Sequence, residues 1–514
     1  MFKKLSSPIN IIFFVSLSIV VLIAFGIIPR EAAFIFLLMY VLFVLFYPVE
    51  RGVDLFLRSI PFFIALPITE SFDNFNIWRL ILALIFIKWF FSSYDWKKWL
   101  RPKLNISRFI KENKIEAAGI LFLLFALLSI FVGPNTIAGA MRFIFILNAL
   151  MLFIVIRSLV IKDKENAWGF ARNFAYSGLL AVAFGYLQFL SAYFVPAWIF
   201  HYWWGQIVSV GLYGQQWGDI ATNFGNTWFS YSAGTLRLRM FSTFPDTHSF
   251  PMYVIMTFPA LFIWISRRFS WLSINKLKDF FKKNYLIFIG FALINLALIL
   301  TGTRGIWIAS LATLAVVGLF KFFKVDKKYN KVLLGSLLIF LLMFPVYFGI
   351  VSFPQFQDTD FEVSASFARI SSIIDFGETS NQGRIGIWKT TLAYIAHSPV
   401  LGVGIGNYPV ILTEPQSALE AGASAHNLYL HIASTMGVFA LFVFLWFIFE
   451  LIKASVNYLK ENREYGLYFA FMLFSLAWIG AYLMTDAALY DGRALLGFMA
   501  MTGIGAGLMR GFQT

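Results

Sequence analysis

Three residues stand where a polar side chain could act on a substrate: Arg304, Arg384 and His426. Arg304 lies in Thr301-Gly302-Thr303-Arg304-Gly305, a tight break between two apolar runs. The break places its guanidinium at the outer end of a helical hairpin. The next helix starts there with free N–H groups and a positive dipole end, so the turn is built to meet an anion. Arg384 follows Asn381-Gln382-Gly383, and Ile385, Trp388, Leu392 and Ile395 recur behind it at helical spacing. That pattern predicts an amphipathic helix on the outer membrane surface, capped by Ser380 or Asn381 and ended by Ser398-Pro399, with Arg384 in its first turn. A guanidinium grips phosphate through two N–H groups, whereas lysine acts as a point charge. His426 precedes Asn427 and Tyr429 at the mouth of another apolar run. Histidine is the side chain best suited to take a proton from a hydroxyl near neutral pH.

Further polar candidates surround these three. Asp246 and His248 sit in Phe244-Pro245-Asp246-Thr247-His248, and Asp486 lies near the end of a late apolar run. Asp358-Thr359-Asp360 has the form of a metal-holding carboxylate pair. Three letters match by chance often, and no metal site is expected there. Gly402, Gly404 and Gly406 let the chain reverse against other backbone. As a nucleotide loop the run is weak, because no strand precedes it. Arg30, Arg79 and Arg142 are read as arginines that snorkel at helix ends.

The elements that must position these residues are membrane helices. The chain of 514 residues is 60% apolar, 13% charged and free of cysteine. Soluble domains carry about 25% charged residues, so this chain lies outside that class. Absence of cysteine excludes disulfides, thiolate metal sites and a cysteine nucleophile. Apolar stretches long enough to span a bilayer recur throughout. They are expected near 9–28, 32–49, 55–70, 77–93, 115–133, 139–160, 167–195, 247–266, 285–302, 305–323, 332–351, 425–452, 464–484 and 493–509. The first is read as a retained helix, because Gly26-Ile27-Ile28-Pro29-Arg30 offers no small-x-small cleavage site. The predicted fold is all-α: a polytopic integral membrane helical bundle of about 12–14 transmembrane helices, with a large outer loop containing short helices.

With the N-terminus in the cytoplasm, every lysine except Lys389 falls on the inner side, and arginine dominates the outer bases. That is the positive-inside pattern. The net charge of +15 therefore reflects topology and anionic lipid headgroups, and no nucleic-acid partner is expected. Segments 196–246 and 352–424 are too long to be turns and fall outside. The first carries Trp203, Trp204, Trp217 and Trp228, read as an interfacial aromatic belt or, less favoured, a surface that stacks on sugars. Three regions follow: 1–246 with the aromatic-rich loop, 247–460 with the loop 352–424, and 461–514.

In order along the chain, Thr301–Gly305, Gly383-Arg384 with Trp388, His397-Ser398-Pro399-Val400-Leu401-Gly402-Val403-Gly404-Ile405-Gly406-Asn407-Tyr408, and His426-Asn427-Leu428-Tyr429-Leu430 with Gly437 resemble the O-antigen ligase and polymerase family. Arg239-Met240-Phe241-Ser242-Thr243-Phe244-Pro245 resembles a looser upstream motif of that group, with Asp246 where Asn is usual. The resemblance implies a membrane-embedded glycosyltransferase in the plasma (inner) membrane, working at the outer face without metal or other cofactor. It implies a glycan donor on undecaprenyl diphosphate and a glycan, lipid or protein acceptor. Arg304 and Arg384 would then hold the diphosphate, His426 would act as base, and in-line attack would invert the anomeric carbon. Arg239, Asp246, His248, Asn427, Tyr429 and Asp486 would be supporting residues. The alternative is a transporter or flippase of lipid-linked glycan, which would use the same arginines without a base.

Overall fold

A computed structural model describes residues 7–69, 73–93, 110–111, 113–223, 227–232, 235–268, 277–353, 355–356, 379–412, 424–461 and 464–510. The chain is all-α. Among the described residues the strands form two short antiparallel pairs, Ala65–Leu66 with Phe75–Asn76 and Phe229–Ser232 with Thr235–Leu238.

Seven described helices are long and apolar enough to cross a bilayer: Thr136–Lys162, Glu165–Ser191, Ser249–Arg267, Arg304–Phe322, Lys327–Val351, Val438–Lys460 and Gly492–Arg510. Pro8–Ala24, Tyr285–Leu300 and Gly466–Tyr482 are shorter apolar helices. Large apolar side chains such as Leu338, Leu342, Phe442 and Phe449 face outward. Water would penalise so continuous an apolar exterior, whereas lipid solvates it. The protein is a multi-pass membrane protein.

Local signals place several helix starts. The Asn135 side chain accepts from the Ala138 N–H, and Asp326 does the same for Lys328. Two expected spans differ from the structure. The run 55–70 leaves the helix Val49–Ser59 at Pro61, which cannot donate to the ladder, and becomes a 3-10 turn and then a strand. The run 425–452 is divided at Gly437, where φ is +91°, into Leu428–Met436 and Val438–Lys460.

At the centre, Gly466–Tyr482 and Gly492–Arg510 bury nearly every side chain. They are packed about by Thr136–Lys162, Ser249–Met256 and Val438–Lys460. The link between the two central helices, residues 483–491, emerges beside the start of Leu428–Met436, where the Leu428 N–H donates to the carbonyls of Leu483 and Asp486 at 2.8 and 3.1 Å. A core this apolar makes polar groups at its rim costly unless they are paired, as the Leu428 N–H is there.

Candidate active site

The turn carrying Arg304 is held by an arginine from another segment. Arg239 donates from Nε to the Thr301 carbonyl at 2.8 Å and from a terminal nitrogen to Thr303 Oγ1 at 2.9 Å. The Thr303 hydroxyl in turn donates to the Thr247 carbonyl at 2.8 Å. Residues 239–247 and 301–305 are thus one folded unit. Arg304, half-buried, begins the helix Arg304–Ala309 with Thr303 at its N-cap position. Gly305 lets this turn approach the central link, since a Cβ there would stand 2.8 Å from Thr485 Oγ1 and 2.9 Å from the Tyr482 ring.

Trp228 supports the same unit from behind. It is 1% exposed, stacks on Phe241 and donates its indole N–H to the Pro245 carbonyl at 3.0 Å. The expected aromatic belt therefore does not include Trp228, which is part of a small separate core with Phe200, Leu238 and Phe241. One residue beyond Pro245, Asp246 Oδ1 accepts from the N–H groups of His248 and Ser249 at 2.8 and 2.7 Å and from the Ser249 hydroxyl at 2.6 Å. This bracket starts the helix Ser249–Met256 and fixes the direction of His248.

His248 Nδ1 lies 2.8 Å from the Tyr482 hydroxyl and 3.2 Å from Asp486 Oδ2. Burial, helped by the charge of Arg239, pushes the His248 imidazole down to about 3. Burial likewise holds the Asp486 carboxyl above its usual range, against the opposing pull of His426 and Arg384. An ion pair would need a protonated ring, so at neutral pH the contact is a hydrogen bond of a neutral imidazole. Tyr482 is a site residue that the sequence reading did not single out. Its position four residues before Asp486, at the end of an apolar run, was the available signal.

Arg384 and His426 arrive on the opposite edge. The helix Thr379–His397 begins five residues before Arg384, which therefore sits beyond the first turn. Its buried edge runs through Ile387 and Thr391, with Trp388 and Tyr394 half-buried beside them, while Leu392 is exposed. The apolar stripe seen in the sequence is thus only partly the packed one. Thr391 explains the difference: its hydroxyl lies 2.7 Å from that of Tyr408, a buried polar contact that apolar spacing does not reveal. Asn381, expected as a cap, falls within the helix. Asp358 and Asp360 lie outside the described residues.

One turn beyond Arg384, Trp388 donates its indole N–H to the Ala425 carbonyl at 2.9 Å. The Ala425 N–H meets His431 Nδ1 at 3.4 Å. Ala425 is therefore fixed on both sides, and the next residue, His426, takes φ of +44°. A non-glycine residue in the left-handed region costs about 1–2 kcal/mol and persists only where its surroundings over-determine it. Asn427 accepts from the Leu430 N–H at 3.1 Å, capping the helix Leu428–Met436. The Tyr429 hydroxyl donates to the Gly480 carbonyl at 2.8 Å. Both residues shape the frame around His426.

The glycine run behind this helix is a backbone-packing device. A Cβ on Gly402 (φ +62°) would fall on the Ser434 carbonyl, and one on Gly437 (φ +91°) on the Val400 carbonyl. Val403 N–H donates to Ser434 O and Val438 N–H to Pro399 O, each at 2.8 Å. The loop so held carries Tyr408 to Thr391 and thereby seats the Arg384 helix against the His426 helix.

The two edges face each other. The charges of Arg239, Asp246, Arg384 and His426 all act on His248, and those of His426 and Arg384 on Asp486. Segments distant in sequence thus converge on one polar site at the rim of an apolar bundle. Residues 289–445 match the family model described as O-antigen ligase, which places this part of the chain in the O-antigen ligase and polymerase family. The matched segment contains Arg304, Arg384 and His426, while Arg239, Asp246, His248, Tyr482 and Asp486 join the site from outside it. A search of curated proteins found no match to the chain.

Proposed function

We propose that the protein moves a glycan from an undecaprenyl-diphosphate carrier to an acceptor hydroxyl at the outer face of the plasma membrane. The N-terminus would be cytoplasmic, and residues 247–460 would form the catalytic region, with Asp486 joining from 461–514. The observation that carries this reading is the pinning of Ala425 by Trp388, which ties the left-handed His426 to the helix that bears Arg384, and the charges of both act on Asp486. Few arrangements need a fixed guanidinium and a fixed imidazole at a lipid boundary. Transfer from a lipid diphosphate is one that does.

In the proposed step an acceptor hydroxyl attacks the anomeric carbon and loses its proton to the His426 ring. The bond between that carbon and the diphosphate oxygen breaks, and the electron pair leaves with the diphosphate. Negative charge grows on the leaving oxygens, where Arg304 and Arg384 would offer planar N–H pairs. Attack opposite the leaving group inverts the anomeric carbon. The proton passes later from His426 to solvent. No metal or nucleotide enters the balance.

The test is transfer by the purified chain in lipid micelles supplied with a polyprenyl-diphosphate glycan. His426→Ala should keep donor binding while transfer falls about 10²–10⁴-fold, the usual contribution of a general base. If His426→Asn transfers at the wild-type rate, the base is elsewhere. If wild type moves the lipid between leaflets without transferring glycan, the flippase reading takes its place.

A further inference from the structure

The strip of residues 239–248 carries one edge of the site, and a residue outside it holds it from behind. Arg493 is buried at the start of the helix Gly492–Arg510. One terminal nitrogen donates to the Thr243 carbonyl and to the Tyr213 hydroxyl, and the other donates to the Phe63 carbonyl at 2.7 Å. The Tyr213 hydroxyl donates in turn to the same Thr243 carbonyl, and its ring lies under the guanidinium at 4.8 Å. Asp491 accepts from the N–H groups of Arg493 and Ala494 at 2.9 and 3.0 Å, which fixes the turn that the side chain leaves from. Phe63 follows the break at Pro61, where the chain has left its helical ladder, so Arg493 also satisfies a carbonyl freed inside the bundle.

Thr243 is held on its other side by its own hydroxyl, which donates to the Pro61 carbonyl at 2.7 Å. The residue before it, Ser242, takes φ of +58°. The Ser242 hydroxyl donates to the Ala181 carbonyl at 2.6 Å, and Gln188 accepts from the Phe241 N–H at 3.2 Å. A serine in the left-handed region persists only where its surroundings over-determine it, and such strain is retained where one geometry must be kept. The strip is fixed at its middle, while the site groups lie at both of its ends: Arg239 grips the turn that bears Arg304, and Asp246 directs His248. Among the described residues no side-chain hydrogen bond of Arg493 reaches the edge that bears Arg384 and His426. One planar fork serves acceptors on three segments, a geometry that a lysine does not reproduce.

We propose that Arg493 is a positioning residue for the transfer reaction: it fixes the strip 239–248 and, through Arg239, the turn that aims Arg304 at the donor. The inference rests on the transfer reading above and deepens it by giving the donor edge a determinant outside residues 289–445.

The test is a double-mutant cycle on the purified full chain in lipid micelles, read both as binding of a fluorescent polyprenyl-diphosphate glycan and as transfer. Arg493→Lys keeps the charge without the fork and should weaken donor binding about tenfold, as loss of a charge-assisted contact would. The acceptor KM and the thermal unfolding temperature should stay near wild type. In an Arg304→Lys background the same change should add less than about twofold, because both act through one turn, whereas in a His426→Ala background it should act in full. Tyr213→Phe removes one donor from the Thr243 carbonyl and should repeat the pattern at about threefold, which keeps the proposal testable where Arg493→Lys does not fold. Additive effects of Arg493→Lys and Arg304→Lys would overturn the proposal. So would donor and acceptor KM rising together with a lowered unfolding temperature, the mark of a mere brace, or a folded Tyr213→Phe that binds donor as wild type does. A wild type that transfers glycan alongside any of these results refutes the role of Arg493 alone, whereas a wild type that transfers nothing refutes the transfer reading and with it the positioning role.

Discussion

Trp388→Phe isolates the device that orients His426. The substitution keeps the ring packed between Ile387, Ala425 and Leu430 but removes the indole N–H from the Ala425 carbonyl, 2.9 Å away. Leaving a buried carbonyl unsatisfied costs about 1–3 kcal/mol, which the backbone recovers if Ala425 rotates toward another donor. The contact to His431 that opposes that rotation is 3.4 Å, longer than a good N–H···N bond. His426, at φ +44°, gains about 1–2 kcal/mol by leaving the left-handed region once Ala425 is free. Relaxation thus releases energy of the same size as the restraint, and about 1.4 kcal/mol is a tenfold shift in population. The kcat for glycan transfer should fall about tenfold, with donor KM and thermal stability close to wild type. Trp388→His, which restores a ring N–H, should recover part of the rate. A Trp388→Phe enzyme with unchanged kcat would refute the idea that this hydrogen bond sets the base.

Four further outcomes are expected. Arg304→Lys and Arg384→Lys should each reduce transfer severely at saturating acceptor, because a point charge replaces a fork; near wild-type rates would exclude the diphosphate role. His248→Gln should flatten the pH dependence of thermal stability. The folded His248 titrates at about 3, below the ordinary value near 6.5, so its contribution is complete above about 6.5 and is lost as pH falls toward 3. Asp491, pushed up to about 6 mainly by burial, works the other way, losing its contribution as pH rises from about 4 to 6, so the difference between variant and wild type is the quantity to measure. Transfer should survive EDTA; loss restored by Mg²⁺ would return attention to Asp358 and Asp360. With no native cysteine, Gln382→Cys should react with an impermeant maleimide from outside and Lys328→Cys only after permeabilisation; the reverse pattern would invert the topology.

The turn at Arg304, the helix that carries Arg384 and the asparagine cap after His426 were legible in the sequence because each leaves a strong local signal. Most of the helices were legible for the same reason, since hydropathy and proline act locally. Contacts created only by packing were not. His248 and Tyr482 are 234 positions apart. The break at Gly437 is dictated by the Val400 carbonyl, while the apolar run passes through it unmarked. Arg79 and Arg142 looked like isolated helix-end cations until Phe145 and Tyr490 brought them to one place. Thr391 carries no apolar signal, yet it is fully buried because Tyr408 supplies its partner.

The choice between the two histidines near the site shows what packing adds. From sequence, His248 and His426 are equal in chemical type, and both stand at the mouth of an apolar run. In the fold, His248 Nδ1 is engaged by Tyr482 and Asp486, and burial makes the ring a weak base at about 3. A ring so placed suits orientation: it ties the Asp246 bracket to the central link through a neutral hydrogen bond. His426 lies on the other edge, half-buried, in a backbone conformation held by Ala425 and Asn427. Backbone strain of this kind is retained where a side chain must point one way. The proton therefore belongs to His426 in the proposed step, and His248 is expected to act through position. His248→Gln should accordingly lower kcat less than His426→Ala does, and its pH–rate profile should keep the wild-type shape. A change of shape on His248→Gln would show instead that His248 exchanges the proton itself.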